Sequence, residues 1–158
     1  MLTQKFLGVF IDNKLSFNKH VDFLVKKCSS RLFLMRKLKN IGLDELGLLT
    51  FYLTNIGSIL AYAAPAWFSL LGDQNCERLE KVQRAALKVI KPDLEYEERL
   101  ECFHIPRLRD YLFNISYADV LKIVDNKSHP LSSKSFFNNA SRTSSRAICN
   151  FRPKLCRT

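Results

Sequence analysis

Basic side chains recur between residues 19 and 40 at spacings that place them on one stripe of a helix. Lysine and arginine cations spaced in this way can contact successive phosphates of a nucleic acid. The members of the stripe are Lys19, Lys26, Lys27 and Lys37, with Arg31 at its edge. Asp22 is the acidic residue in this stretch. A solvated helix face gives the same pattern, so the residues alone leave both interpretations open.

Phosphoryl transfer needs paired carboxylates that converge on Mg²⁺. The stretch Tyr117-Ala118-Asp119-Val120 offers one carboxylate in a predicted helix, and Val120 stands where a second acid would be needed. Glu95, Glu97 and Glu98 fit the acidic start of a helix, and Glu97 and Glu101 could share one helix face, but a solvated first turn gives the same pattern. Cys102 and His104 do not have a common zinc spacing. Nucleophile elbows and glycine-rich phosphate loops are also absent from the sequence. We therefore expect no catalytic residue, no metal site and no cofactor.

One short strand and five helices are predicted to position these residues. Residues 6–11 are β-branched and aromatic, Asp12-Asn13-Lys14 is a turn, and Ser16 stands where a helix N-cap belongs. Periodicity and caps predict helices over residues 19–40, 44–64, 73–91, 95–103 and 108–124. The chain shows no convincing second strand. The expected fold is therefore mainly α, with a strand whose partner lies outside the chain or which packs alone on helices.

Composition divides the chain into a strand and turn over residues 1–18, a helical domain over 19–125, and a basic tail rich in Ser and Asn over 126–158. Residues 1–43 carry nine Lys and Arg against two Asp, and residues 44–125 carry nine against thirteen Asp and Glu. The tail carries seven basic residues and no acidic one. Two basic ends around an acidic middle can bind a polyanion if the fold brings them to one side.

An uncharged stretch runs from Leu46 to Gly72, and its 27 residues exceed the length that crosses a bilayer. The polar residues Thr50, Thr54 and Asn55 interrupt its centre, and Pro65 lies near its end. We expect a buried core helix, with a small membrane protein that uses residues 46–71 as the alternative.

The cysteines form an odd set without a C-x-x-C pair, and no signal peptide precedes them. They are Cys28, Cys76, Cys102, Cys149 and Cys156. A reducing compartment is expected, so the predicted location is intracellular, nuclear or cytoplasmic.

Residues 5–21 read Lys-Phe-Leu-Gly-Val-Phe-Ile-Asp-Asn-Lys-Leu-Ser-Phe-Asn-Lys-His-Val. This stretch resembles the end of the palm and the start of the thumb in reverse transcriptases of non-LTR, LINE-type retrotransposons. The likeness continues in order through Arg31-Leu32, Arg36-Lys37-Leu38, Tyr52, Ile56, Leu60, Tyr62, Pro65, Trp67, Leu79-Glu80, Gln83, Ala86-Leu87, Ile90, Tyr96-Glu97-Glu98-Arg99, Ile105-Pro106-Arg107-Leu108 and His129-Pro130-Leu131.

The resemblance implies the thumb and C-terminal region of an RNA-directed DNA polymerase, without the catalytic palm and its Mg²⁺ ligands. We expect such a fragment not to be an enzyme on its own, and to bind template-primer or an RNA–DNA hybrid with little sequence preference. Phe6, Leu7 and Gly8 would occupy a primer-grip-like hairpin, and the missing palm would supply the strand's partner. The alternative class is a non-enzymatic helical interaction module.

Residues 7–43 also resemble the N-terminal segment of an AlkB-like protein of alkylated-nucleic-acid repair and tRNA methylation. Such a label would imply oxygenase or methyltransferase chemistry. The sequence has no glycine-rich cofactor loop, and its one H-x-D triplet, His20-Val21-Asp22, lies in the helix predicted over residues 19–40. We expect neither activity.

Overall fold

A β-hairpin and seven α-helical segments follow one another in the computed structural model, which describes residues 3–126. The elements are β1 (Thr3–Phe6), β2 (Val9–Asp12), α1 (Asn18–Asn40), α2 (Glu45–Tyr52), α3 (Ser58–Ala61), α4 (Ala64–Trp67), α5 (Asp73–Ile90), α6 (Tyr96–Phe103) and α7 (Leu108–Asp125). A π-helical turn over Leu53–Gly57 joins α2 to α3, so these segments form one helix. The expected mainly helical fold with about five principal helices is confirmed.

The chain divides into two units, residues 1–117 and 118–158, and the elements discussed below belong to the first unless stated. Of the second unit, the structure describes the end of α7 and Asn126. The predicted tail from residue 127 onward, with its cysteines and His129-Pro130-Leu131, lies outside the described residues. The predicted boundaries of the three parts stay predictions.

The N-terminal strand is paired within the chain. β1 and β2 run antiparallel, with Lys5 opposite Phe10 and Phe6 opposite Val9. Leu7 and Gly8 form the two-residue turn, with φ of 45° and 86°. Positive φ at both central residues is the requirement of the hairpin turn whose twist matches that of its strands. The predicted single strand over residues 6–11 and its partner outside the chain were therefore wrong.

Asp12 organises the passage from the hairpin into α1. Its Oδ1 accepts hydrogen bonds from the backbone N–H groups of Lys14 at 2.9 Å and Ser16 at 3.1 Å, and its Oδ2 accepts from Phe17 N–H at 3.0 Å. Ser16 Oγ donates to the same carboxylate at 2.9 Å. Ser16 was the predicted N-cap, but Phe17 occupies that position and caps nothing with its side chain. None of the donors to Asp12 belongs to α1, so this carboxylate fixes the turn that leads into the helix and does not cap it.

The core lies mainly between α1 and α5, which run in the same direction. Asn75 Nδ2 donates to Asn18 Oδ1 near the start of both helices, and Lys39 Nζ donates to the carbonyl of Ile90 near their ends. Helical spacing predicts an apolar face on each helix. On α1, Val21, Leu24, Cys28, Leu32 and Met35 are buried, and Val25 and Leu38 are half-buried. On α5, Cys76, Leu79, Val82, Ala86 and Ile90 are buried. Gly42, with φ of 96°, follows the end of α1 as predicted.

The apolar helix begins as predicted, because the Asp44 side chain accepts from Gly47 N–H at 3.0 Å. It ends earlier than expected: Tyr62 is extended and Ala63 has φ of 53°, and Pro65 then lies in the first turn of α4. Proline is tolerated there because the first helical N–H groups have no intrahelical acceptor. Residues that this stretch contributes to the core are Leu48, Tyr52, Ile56, Leu60, Ala64, Trp67 and Phe68.

The last two helices also follow the predicted boundaries to within a residue. Glu95 caps α6, and the Glu98 side chain accepts from the Glu95 N–H in return. The stretch Tyr117-Ala118-Asp119-Val120 lies within α7, as the predicted helix requires.

Candidate nucleic-acid interface

All five predicted phosphate-contacting residues lie on α1 with exposed side chains. Within the described part of the chain, none of the five forms an ion pair with a carboxylate. Asp22, the acidic residue of α1, is held by Arg78 of α5. The positive charge of the stripe is therefore not neutralised by its own helix. The five residues are Lys19, Lys26, Lys27, Arg31 and Lys37.

The hairpin and α1 meet at two phenylalanine rings surrounded by lysines. Phe10 of β2 and Phe23 of α1 have ring centroids 5.2 Å apart. Lys5 Nζ lies 5.7 Å from the centroid of each ring, Lys19 Nζ lies 5.8 Å from that of Phe10, and Lys27 Nζ lies 5.9 Å from that of Phe23. These distances place each ammonium group in cation–π range. We call these five residues the basic-aromatic cluster.

Sequence reasoning found two lysines of the cluster, Lys19 and Lys27, and missed Lys5. The lysine pair follows from helical periodicity. Lys5 joins it only because the hairpin register sets Lys5 opposite Phe10. Only a turn at Leu7-Gly8 places these residues across from each other, and the exposed residues of β1 give no apolar alternation that would indicate one.

The remaining predicted residues are not part of the cluster. Lys37 Nζ lies over the Phe33 ring at 5.5 Å, near the end of α1. Ten residues separate Lys37 from Lys27, which is about 15 Å along a helix. Lys26 is exposed next to Lys27, and Arg31 is exposed between Lys27 and Lys37. The stripe is thus a row of cations along α1, and the cluster shares Lys19 and Lys27 with its N-terminal part.

A cavity of about 280 Å³ opens beside the cluster. Its lining residues are Lys5, Gly8, His20, Phe23, Leu24, Lys27, Ile59 and Tyr62. An aromatic residue beside a helix break is usually part of the core, but Tyr62 is 55% exposed and its hydroxyl donates to the carbonyl of Leu7 at 2.9 Å. Of the primer-grip-like residues, Phe6 and Leu7 are exposed, whereas Gly8 faces the ring of Tyr62.

His20 lies at the inner side of this cavity with 1% of its surface exposed. Its Nδ1 accepts from the Phe10 N–H at 3.5 Å, and its ring meets the Trp67 ring edge-on with centroids 5.2 Å apart. Trp67 is fully buried. His20 Nε2 has no hydrogen-bond partner within residues 3–126. Burial lowers the pKa of His20, because the charged imidazolium is poorly solvated there.

The chain matches no protein-family model, no curated protein and no solved structure. The description of the interface therefore depends on the geometry of its residues.

A second polar cluster is buried between α5, α6 and α7. Tyr52 Oη donates to Gln83 Oε1 at 2.7 Å, and Tyr96 Oη donates to Glu80. The Glu80 carboxylate also accepts from the N–H groups of Leu108 and Arg109 at 3.3 and 3.1 Å, at the start of α7. Apart from Arg109, these residues belong to the series that carries the resemblance. Their contacts are internal, so their observed role is to fix how α7 begins.

Four of the five acidic residues considered for chemistry have structural contacts, and the fifth, Glu101, is exposed on α6. Glu95 and Glu98 form the cap of α6, and Glu97 pairs with Arg107 at 2.7 Å. In the second unit, Asp119 pairs with Lys122 at 3.0 Å. Among the residues that the structure describes, no group of three His, Cys, Asp or Glu side chains is placed to hold a metal ion.

Proposed function

We propose that this chain binds nucleic acid through phosphate contacts from α1 and the hairpin. The basic-aromatic cluster is the observation that carries the proposal. Lys5, Lys19 and Lys27 come from two separate elements and converge on one surface patch, and the carboxylate of Asp22 is held by Arg78. A solvated helix face does not require cations from a second element to join it. Phosphate contacts of this kind give affinity with little sequence preference.

The resemblance to the thumb of non-LTR reverse transcriptases gives the proposal its ligand class. A thumb contacts the template-primer duplex, so an RNA–DNA hybrid is the appropriate probe. We propose that the chain is a non-catalytic part of such an RNA-directed DNA polymerase. We expect these 158 residues alone not to extend a primer with Mg²⁺ and deoxynucleotides. An open reading frame for the Ala-Asp-Asp turn immediately upstream in the genome would identify the parent polymerase.

The test is a fluorescence-anisotropy titration of a labelled RNA–DNA hybrid at several salt concentrations. We expect binding at low salt that weakens linearly on a plot of log K against log salt, with a slope of about −0.9 for each phosphate contacted. The double variant Lys19→Glu/Lys27→Glu should lower the magnitude of the slope by about 1.8 and bind at least about tenfold more weakly at low salt.

The matched control is Lys81→Glu/Lys88→Glu, which makes the same change of net charge at two exposed positions of α5. This control should retain most of the affinity. The proposal is wrong if the wild-type chain does not bind the hybrid at low salt. It is also wrong if the control loses as much affinity as the cluster variant, since net charge would then explain the binding. In either case the helical interaction module becomes the better interpretation.

A second candidate is a membrane-associated protein, favoured by the apolar helical stretch. Residues Glu45–Leu70 are long and apolar enough to cross a membrane by length and composition. The most apolar 18 residues of this stretch have a mean hydropathy of 1.4, and 22% of them are buried. Leu46 and Leu53 are among its exposed apolar residues. Carbonate extraction of tagged protein separates the candidates, because an integral protein stays in the membrane pellet and a protein with a core helix enters the supernatant.

A further inference from the structure

The cavity beside the basic-aromatic cluster combines two kinds of lining. Phe23, Leu24, Ile59 and the ring of Tyr62 supply apolar surface, whereas Lys5 and Lys27 supply cations. A phosphate group alone is recognised by cations and hydrogen-bond donors, and an apolar surface does not contribute to its binding. A ligand that matches the whole cavity therefore has a flat apolar part joined to an anionic part.

The cavity is held in shape by groups that the hairpin and the helices supply. Tyr62 Oη donates to the Leu7 carbonyl, which fixes the tyrosine ring against the turn. Gly8 has φ of 86°, and a Cβ added there would lie 3.4 Å from Tyr62 Cε1. The absence of a side chain at Gly8 thus leaves room between the turn and the ring. His20, which is buried, closes the inner side.

We propose that this cavity takes one unpaired nucleotide, with its base against Phe23 and Tyr62 and its phosphate on Lys5 and Lys27. A base within a duplex is already stacked and paired, whereas an unpaired base offers both faces to aromatic side chains. At about 280 Å³ the cavity is just below the range of pockets for drug-sized ligands, which suits a single base. The proposal rests on the proposed function, since it names the part of a nucleic acid that this surface selects.

The experiment compares three labelled RNA–DNA hybrids of the same duplex sequence. The first has blunt ends, the second has one unpaired nucleotide at one end, and the third carries an abasic residue at that unpaired position. We expect about tenfold tighter binding of the second than of the first, the usual effect of one base stacked on aromatic side chains. The abasic hybrid keeps the additional phosphate and loses the base, so it should bind like the blunt one.

A cavity-filling variant tests whether the unpaired nucleotide binds in this cavity. Ile59 is half-buried and lines the cavity, so Ile59→Trp should remove the preference for the unpaired nucleotide and leave the affinity for the blunt hybrid unchanged. Ile59→Val should retain the preference. Circular dichroism melting establishes that both variants fold. Phe23→Leu, which removes one aromatic face and keeps an apolar side chain, provides a second variant and should reduce the preference several-fold.

Three results overturn this inference: equal binding of the blunt and overhanging hybrids, a preference that the abasic hybrid retains, or a preference that survives in a folded Ile59→Trp chain. Failure of the proposed function has a different signature, because then neither hybrid binds at low salt. A chain that binds both hybrids equally well retains its phosphate-contacting function and loses only the nucleotide site.

Discussion

The hydroxyl of Tyr62 donates a hydrogen bond to the carbonyl oxygen of Leu7 at 2.9 Å, across 55 positions of sequence. Leu7 is the first residue of the hairpin turn, and Tyr62 directly follows α3. The bond joins the N-terminal hairpin to the middle of the chain at the point where the cavity opens. The position of the turn, and with it that of Lys5, therefore depends on a residue far along the sequence.

The first prediction concerns a variant that lacks this hydrogen bond. Tyr62→Phe keeps the ring and deletes the donor, so we expect a loss of about 1 kcal/mol or less in the free energy of unfolding, because the group is half exposed. Amide hydrogen exchange in β1 and β2 should accelerate more than exchange in α5. Tyr117→Phe is the control, since that hydroxyl has no hydrogen bond within the described residues. Unchanged hairpin exchange in Tyr62→Phe would contradict the prediction.

The second prediction concerns the carboxylate of Asp12, in the turn that precedes α1. Four hydrogen-bond donors surround Asp12, and the backbone N–H of Ser16 is the largest contribution that holds its pKa below the ordinary value of 3.8. A carboxylate with a lowered pKa stabilises the fold above the unfolded-state pKa, and that stabilisation is lost as the pH falls through the folded-state value. Asp12→Asn should therefore lower the Tm at pH 7.

The difference in Tm between wild type and Asp12→Asn should shrink below about pH 3.8, where the wild-type carboxyl begins to protonate. Asp93→Asn, at an exposed loop position, should leave the Tm almost unchanged across the same range. A Tm difference that is constant from pH 7 to pH 2 would show that the charge of Asp12 is not the stabilising feature. Thermal melts followed by circular dichroism provide the measurement.

The helices could be predicted from sequence because their apolar positions repeat at helical spacing. Val21, Leu24 and Cys28 are the first such series, and all three are buried where the period places them. The hairpin could not be predicted in this way. Its turn is Leu7-Gly8, and leucine is a residue expected inside a strand and rarely found in the left-handed region. The residues of β1 are also largely exposed, so they show no apolar alternation.

The residues of the candidate site also fall into those that could be predicted from the sequence and those that could not. Local spacing along one helix was sufficient to find Lys19 and Lys27. Lys5 and Tyr62 join them through the hairpin register and one long-range hydrogen bond, and neither leaves a periodic signal in the sequence. The N-cap of α1 was assigned to Ser16 because caps are adjacent to the helix, but Phe17 occupies that position and Ser16 donates to Asp12 in the preceding turn.

The third prediction tests the buried polar cluster. Glu80 is 6% exposed and accepts from Tyr96 Oη and from two N–H groups that begin α7. Glu80→Ala leaves these buried donors without an acceptor, so the free energy of unfolding should fall by about 1–3 kcal/mol. Glu80→Gln retains one acceptor oxygen and should lose less. Urea denaturation measures both variants.

The matched control for Glu80→Ala is Glu77→Ala, one turn earlier on α5. The side chain of Glu77 is exposed and pairs with Arg84 at 3.3 Å. An exposed ion pair of this kind contributes little, so this variant should change the free energy of unfolding by less than about 0.5 kcal/mol. Equal losses in Glu80→Ala and Glu77→Ala would contradict the role assigned to the buried carboxylate.

The last prediction follows from the burial of His20. Because burial lowers its pKa below the ordinary 6.5, the unfolded chain binds a proton more readily than the folded one. The neutral imidazole stabilises the fold above about pH 6.5, and this stabilisation is lost as the pH falls towards the folded-state pKa. Urea midpoints measured from pH 7.5 to pH 5 should therefore decrease, and His20→Phe should flatten the decrease even if it lowers every midpoint.

His104, which is exposed at the end of α6, provides the comparison. His104→Gln should keep the wild-type slope between pH 7.5 and pH 5. A slope that persists in His20→Phe would assign the pH dependence to another group.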